Sequence, residues 1–372
     1  MKIMNSTLKI PLYAKVSIIL LGIFILFYIL YIGQEIIIPL IFSFFIAILL
    51  NPVVDYLCKR KVNRFVAIFV SILFAIIILS AIIYFITSQI VMFGEMLPQL
   101  EEKINTLQHQ TIKWASQFLN LSTEKINIWI AQVRTEALNI GKSLIGPTIL
   151  SIGGMMVIFF LLPVYIFLIL WYKSLFLEFI SRLFPVEKHK TVAEVLVESK
   201  LLIQNYLIGL LTETGIVAIL NTLGLIILGI EYAILLGVIS AILNIIPYLG
   251  GIISMVIMIV LVLATKSSIY ALWVLLLFGF IQFIDNNIIV PKIVASRIKI
   301  NEFISIVAVL IGSAFWGIPG MFLSLPIIAI LKVIFDRIDP LKPFGYLLGK
   351  TISSNDGMFL KFPKKKIKKS VF

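Results

Sequence analysis

Residues 232–264 read YAILLGVISAILNIIPYLGGIISMVIMIVLVLA, 33 positions without a single charged side chain. A helix crossing a hydrocarbon core about 30 Å thick needs about 20 apolar residues. This stretch is therefore long enough to enter lipid and too long for one straight crossing. Its middle holds Pro247-Tyr248-Leu249-Gly250-Gly251. Proline removes a helical hydrogen bond and paired glycines loosen the backbone, so the natural reading is a broken helix.

The rest of the chain has the same character. Of 372 residues, 61% are apolar and 13% charged, and the mean hydropathy is +1.12. Soluble domains lie near about 45–50% apolar and about 25% charged. A chain of this size still presents a large surface, so the excess cannot all be hidden in a core. The fold class expected is all-α, a polytopic membrane protein with about eight transmembrane helices. The apolar windows fall near 16–32, 36–50, 65–92, 149–171, 206–229, 232–264, 269–288 and 303–335. The first follows Lys9 and Lys15 but lacks a small-x-small cleavage site near Tyr28 to Gly33, and reads as a retained anchor.

The expected organisation is N-terminal transmembrane helices over 1–93, an extracytoplasmic unit over 94–148 and a transmembrane helix over 149–171. Cytoplasmic amphipathic helices over 172–204 follow, then a C-terminal transport core over 205–338 and a basic cytoplasmic tail over 339–372. In the outer unit, Met96, Leu97, Leu100, Ile104 and Leu107 recur at helical period among five basic and five acidic residues. Residues 175–184 place Phe176, Phe179, Ile180 and Leu183 on one helical face. That face packs on the protein's own spans or lies on the membrane surface.

The formal charge of +13 would suggest nucleic acid on a soluble domain, but the basic residues sit between apolar windows and read as topology information instead. With both termini cytoplasmic and eight alternating spans, cytoplasmic segments hold 23 of the 31 Lys and Arg. Lys292, Arg297 and Lys299 then fall outside, the one soft spot in that pattern, and a segment dipping back into the protein would explain them. The tail carries Lys361, Lys364, Lys365, Lys366, Lys368 and Lys369. These suit anionic lipid headgroups, or simply a solvated tail that helps fix orientation.

No chemistry of an enzyme is visible. Gly141-Lys142-Ser143 resembles the end of a phosphate loop, but the position that needs the first glycine is Glu136. Zinc-protease and Gly-x-Ser-x-Gly signatures are absent. Cys58 is alone, and His109 and His189 are far apart, so no cofactor and no metal site is expected. What remains is a carrier, a facilitator or a channel. The informative residues are polar ones at membrane depth, where a carboxylate costs several kcal/mol by insertion scales, about 2.5–3.5 at a helix centre. Glu213 in the fifth window either loads and releases a proton or pairs with a basic group such as Lys200. Asn244 precedes Pro247, and Asp285-Asn286-Asn287 closes the seventh window before Pro291. That cluster forms a binding site or a helix cap at the water boundary. In the last window Gly312, Gly317, Pro319 and Gly320 separate two half-length pieces, 303–315 and 318–335. The first is short for a crossing, which admits a re-entrant hairpin.

Three blocks carry a resemblance. They are Leu236-Gly237 through Asn244-Ile245-Ile246-Pro247-Tyr248-Leu249-Gly250-Gly251, then Gln282 through Asp285-Asn286-Asn287 to Pro291-Lys292-Ile293, and Gly317-Ile318-Pro319-Gly320-Met321-Phe322-Leu323-Ser324-Leu325-Pro326. In this order and spacing the chain resembles the autoinducer-2 exporter family of bacterial permeases over nearly its whole length. The resemblance implies a homo-oligomeric inner-membrane permease. The family is named for export of a small polar signal, while other members are linked to sodium/proton exchange. The chain departs from the family pattern at Ala295, where glycine is frequent, and at Glu302, where proline is frequent. The function expected is movement of a small polar solute, with protons or sodium as partners in coupling, through Glu213, Asn244, Pro247, Gly250, Gly251, Asp285, Asn286, Asn287, Pro291, Gly317 and Gly320. The alternatives are a sodium or potassium/proton antiporter and a non-transporting scaffold.

Overall fold

A computed structural model describes residues 11–94, 152–247, 249–295 and 300–349. The unit expected over 94–148, beyond Gly94 itself, lies outside the described residues. So do the tail lysines Lys364, Lys365, Lys366, Lys368 and Lys369. The described chain is helical, its single β-bridge joining Ile300 to Gly349. In order come α1 (Leu12–Ile32), α2 (Gln34–Lys59), α3 (Arg64–Gly94), α4 (Ile152–Trp171), α5 (Lys173–Arg182), α6 (His189–Ile227), α7 (Ala233–Asn244), α8 (Leu249–Thr265), α9 (Ser268–Ile284), α10 (Glu302–Arg337) and α11 (Lys342–Leu348). Among the described residues six helices are long and apolar enough to cross a membrane, and α4 with α5, bent by 62°, makes a seventh. Along α1 every side chain from Val16 to Ile29 is partly or largely exposed. Such a surface is costly in water and suits a hydrocarbon solvent.

The window that reads as a broken helix and the last window, which admits a re-entrant hairpin, are both hairpins. In the first, α7 and α8 run antiparallel. Ala233 and Leu236 near the start of α7 share a buried cluster with Met258 and Val262 late in α8. At the neck, a Cβ built on Gly250 would overlap the carbonyl oxygen of Leu243, so only glycine lets the two backbones approach this closely. In the second, α10 is interrupted at Trp316 (φ −133°, ψ 17°) and Gly317 (φ 60°, ψ −138°). Cβ atoms added to Gly312 or Gly320 would each strike the carbonyl oxygen of the other. On a straight helix those residues would be about 12 Å apart, so α10 folds back on itself, with arms 302–315 and 318–337.

The hairpins point in opposite directions. The first hangs from the C-terminal end of α6 at Ile227 and runs back beside it, Gly237 packing onto the backbone of Thr222. The second has its base at the other end of α6, where Arg337 binds Glu194 (2.8 Å) and Glu198 (2.6 Å). That base is closed by Asn301, whose amide N–H donates to the Leu348 carbonyl at 3.0 Å. The tip of the second hairpin reaches the far end of α1, where the Trp316 indole N–H donates to the Leu30 carbonyl at 3.2 Å. Asn301 also caps α10, its side chain accepting from Ile304 N–H at 2.8 Å. Glu302 thus takes the first helical position, where proline or an acidic residue serves equally well. The departure from the family pattern at this residue leaves the hairpin start intact.

Candidate functional site

Three side chains from three elements meet where the first hairpin ends. Glu213 lies in α6, 14 residues or about 21 Å before its C-terminal end. Asn244 is the last residue of α7, whose 12 residues carry it about 18 Å back along α6. Asp285 opens an 11-residue π-helical segment, Asp285–Ala295, that continues α9. Wide π turns are uncommon and recur at functional positions.

The Asn244 amide donates to Asp285 Oδ2 at 2.9 Å and reaches Glu213 Oε1 at 3.4 Å. Glu213 is 7% exposed and Asp285 2%. The second oxygen of Asp285, Oδ1, has no hydrogen-bond partner among the described residues. Two acids therefore share one neutral donor, and neither has a basic side chain as partner among the ion pairs of the described residues. The pairing of Glu213 with Lys200 is not formed. Burying a carboxylate with an unmet oxygen is expensive anywhere, and more so at membrane depth.

Beside this triad opens a cavity of ≈ 650 Å³ lined by Tyr206, Glu213, Asn244, Pro247, Gly251, Met255, Phe278, Gln282, Phe283, Asp285, Asn286 and Asn287, among others. Of the residues singled out in the sequence, Glu213, Asn244, Pro247, Gly251, Asp285, Asn286 and Asn287 come together here. Gly250 stands behind them at the hairpin neck. Pro291 lies further along the π-helical segment, outside the lining. Gly317 and Gly320 belong to the second hairpin and do not reach the cavity, although Leu325 of its returning arm does. Sequence reasoning passed over Tyr206 and gave Gln282 no role. Tyr206 is two helical turns before Glu213 and Gln282 one turn before Asp285, so same-face spacing from the two acids was the signal available.

The lining combines carboxamides (Asn244, Gln282, Asn286, Asn287) and carboxyls with aromatic and aliphatic walls, and among the described residues it holds no Lys, Arg or His. Asn286 accepts from Gln282 at 3.5 Å, while the Asn287 amide donates to the Phe283 carbonyl at 2.8 Å. No group of three or more His, Cys, Asp or Glu able to hold a metal exists among the described residues.

Comparison with known proteins gives a consistent picture. Residues 18–339 match the AI-2E family transporter pattern. The AI-2 transport protein TqsA of Escherichia coli (strain K12) is 26% identical over 311 residues, 82% of this chain and 87% of that one. Two relatives, each named "Putative transport protein", are YrrI of Bacillus subtilis (strain 168) and YhhT of Escherichia coli (strain K12). YrrI is 28% identical over 308 residues, 81% of this chain and 86% of its own. YhhT is 25% identical over 328 residues, 85% and 89% respectively.

Proposed function

This chain belongs to the AI-2E transporter family, and on that premise we propose that it is a secondary carrier whose solute occupies the cavity beside Asp285 while the Glu213–Asn244–Asp285 triad carries a proton or a monovalent cation. The observation that supports this most is the shared amide with its two acids and the unmet Asp285 Oδ1 at membrane depth. An acid in hydrocarbon is rarely idle, and an oxygen without a protein donor is met by exchanging a small cation. Broken helices are the usual frame for such sites, because their ends leave backbone polar groups free to bind.

A cavity with carboxamides and acids but no basic side chain suits a neutral, hydroxyl-bearing solute and disfavours an anion. AI-2, for which TqsA is named, is one candidate. Opposed hairpins fit alternating access, one entering from each side.

They also revise the reading of orientation. If each hairpin returns to the side it came from, six spans remain with both termini cytoplasmic. Lys266 moves outside, and Lys292, Arg297 and Lys299 move in. The cytoplasmic share of Lys and Arg then rises from 23 to 25 of the 31 in the chain, and the soft spot disappears.

Two experiments test this. In proteoliposomes, uptake of AI-2 or a small polyol panel is measured with and without imposed proton and sodium gradients. Gradient-driven uptake that Glu213→Gln and Asp285→Asn abolish supports the coupled carrier. Indifference to every gradient, with both variants normal, removes it. In a Cys58→Ser background, an impermeant maleimide added outside intact cells is expected to label Ser267→Cys and to spare Ser296→Cys. The reverse pattern overturns the orientation.

A further inference from the structure

The corner where α2, α3, α4 and α5 meet joins unpaired positive charge to an apolar helix. Arg64, opening α3, donates to the Leu170 carbonyl at the end of α4 at 2.8 Å. Lys173, opening α5, donates to Asn51 of α2 at 2.9 Å. These contacts fix the level of the α4–α5 bend against α2 and α3. Lys59, eight residues beyond Asn51, then stands about 12 Å past the Lys173 contact along α2. Lys59, Arg60 and Lys61 follow one another on that projecting turn, all exposed. Among the described residues none of the three enters an ion pair, and Arg60 lies over the Tyr56 ring at 4.7 Å.

At the bend the chain turns by 62°. Beyond it Leu175 (58% exposed), Phe176 (49%), Phe179 (59%) and Leu183 (62%) find no partner among the described residues that buries them. The polar side of α5 holds the Glu178–Arg182 pair at 2.5 Å. Trp171 and Tyr172, both exposed, mark the bend itself, the place where amphipathic rings collect at a membrane boundary. A helix turned off the end of a span with such a face lies in the plane of the interface. Along α2 the basic turn then lies beyond the start of α5, on the water side of the acyl boundary, from where long Lys and Arg side chains reach back to headgroup phosphates.

We propose that this corner is a docking site for an anionic phospholipid, its phosphate held by Lys59, Arg60 and Lys61 and its acyl chains lying along Phe176 and Phe179. Charge complementarity selects the occupant: three cations without an ion pair among the described residues, on the same corner as an exposed apolar face, match an amphiphile with an acidic head. A zwitterionic lipid satisfies only the apolar half. A second copy of the chain would have to bring acids to this turn, and the acids of α5 and the base of α6, Glu178, Glu194 and Glu198, are already paired with Arg182 and Arg337.

The test uses the full chain in neutral detergent with dioleoylphosphatidylglycerol or dioleoylphosphatidylcholine added back, read by native mass spectrometry and by melting. The wild type is expected to retain the glycerol lipid and melt higher with it than with the choline lipid. The combined Lys59→Gln, Arg60→Gln, Lys61→Gln variant is expected to lose that preference on the order of tenfold or more in lipid affinity. Phe176→Ser with Phe179→Ser should weaken both lipids alike, and Lys266→Gln should change nothing. Equal response to the two lipids, an unchanged preference in the triple variant, or full replacement by glycerol phosphate overturns the proposal. So does efficient cross-linking of Phe179→Cys to a second copy in membranes, which would assign the face to subunit contact.

Discussion

The two hairpins reverse by the same means and end in opposite chemistries. In the first, Gly250 lets α8 start against the Leu243 carbonyl; in the second, Gly312 and Gly320 let two arms touch backbone to backbone. The first tip then delivers Asn244 between two buried acids. The second delivers Phe315 against Phe27 and Tyr31, at ring separations of 5.3 and 6.1 Å, and Trp316 against a carbonyl of α1. Reversal within a membrane is thus a steric matter settled by glycine, while function depends on what the tip meets. The first tip carries a polar side chain into a buried acidic site. The second is built to pack.

The shared steric device gives the largest expected effect. Gly250→Ala and Gly320→Ala both place a Cβ into backbone that cannot yield, and each should cost more than about 3 kcal/mol, leaving little folded protein. Gly279→Ala, where nothing lies within 4 Å, should stay within about 0.5 kcal/mol of wild type or gain slightly from helix propensity. Fluorescence-detected size exclusion after heating reads all three. A Gly250→Ala protein that melts like wild type would break the claim that the two reversals share a cause.

Chemistry should separate the hairpins where sterics unites them. Asp285→Asn keeps shape and the Asn244 neighbourhood but removes the exchangeable charge. Transport should fall about 100-fold, equivalent to about 2.7 kcal/mol in a rate constant, with melting nearly unchanged. Ser324→Ala on the second hairpin removes only a hydroxyl that donates to the Met321 carbonyl at 2.7 Å. Its transport should stay within about twofold of wild type, since a local bond of this kind is worth about 1 kcal/mol or less. Equal losses in the two variants would erase the division of labour.

Much of this was legible before any contact was known, because hydropathy is a local property. The windows from 16–32 to 303–335 all became helices, and Pro247, Gly250, Gly317 and Pro319 marked both interruptions. What the sequence could not show was the direction of the chain after each break. A kink and a reversal carry the same proline and glycine, and the difference lies in contacts such as Leu243 with Gly250, or Gly312 with Gly320. One indirect signal existed: with both termini placed in the cytoplasm, Lys292, Arg297 and Lys299 fall outside unless a hairpin is allowed. At the site, Glu213, Asn244 and Asp285 stood out as polar residues in apolar surroundings. Tyr206 and Met255 did not, since an aromatic or thioether on a lipid-rich helix looks the same whether it faces a cavity or a neighbour.

Conformation alone can be tested at Gly317. Its φ of 60° with ψ of −138° suits glycine and strains any side chain, yet nothing lies within 4 Å of an added Cβ. Gly317→Ala should therefore cost about 1–3 kcal/mol through the backbone only, less than Gly250→Ala, where atoms collide. A Gly317→Ala melting point as low as that of Gly320→Ala would mean that the tip meets more than the described residues provide.

Trp316→Phe makes the smallest cut. The indole N–H serves the Leu30 carbonyl, one of the last four of α1 and so without an intrahelical donor. Phenylalanine keeps a smaller ring against Phe315, whose centroid is 6.2 Å away, and removes that bond, worth about 1 kcal/mol, with part of the indole's packing. The melting point should drop by about 2 °C or somewhat more, and solute uptake should hold. If uptake instead collapses while the fold survives, the second tip does more than pack, and the polar site at the first cannot be the sole place on which transport depends.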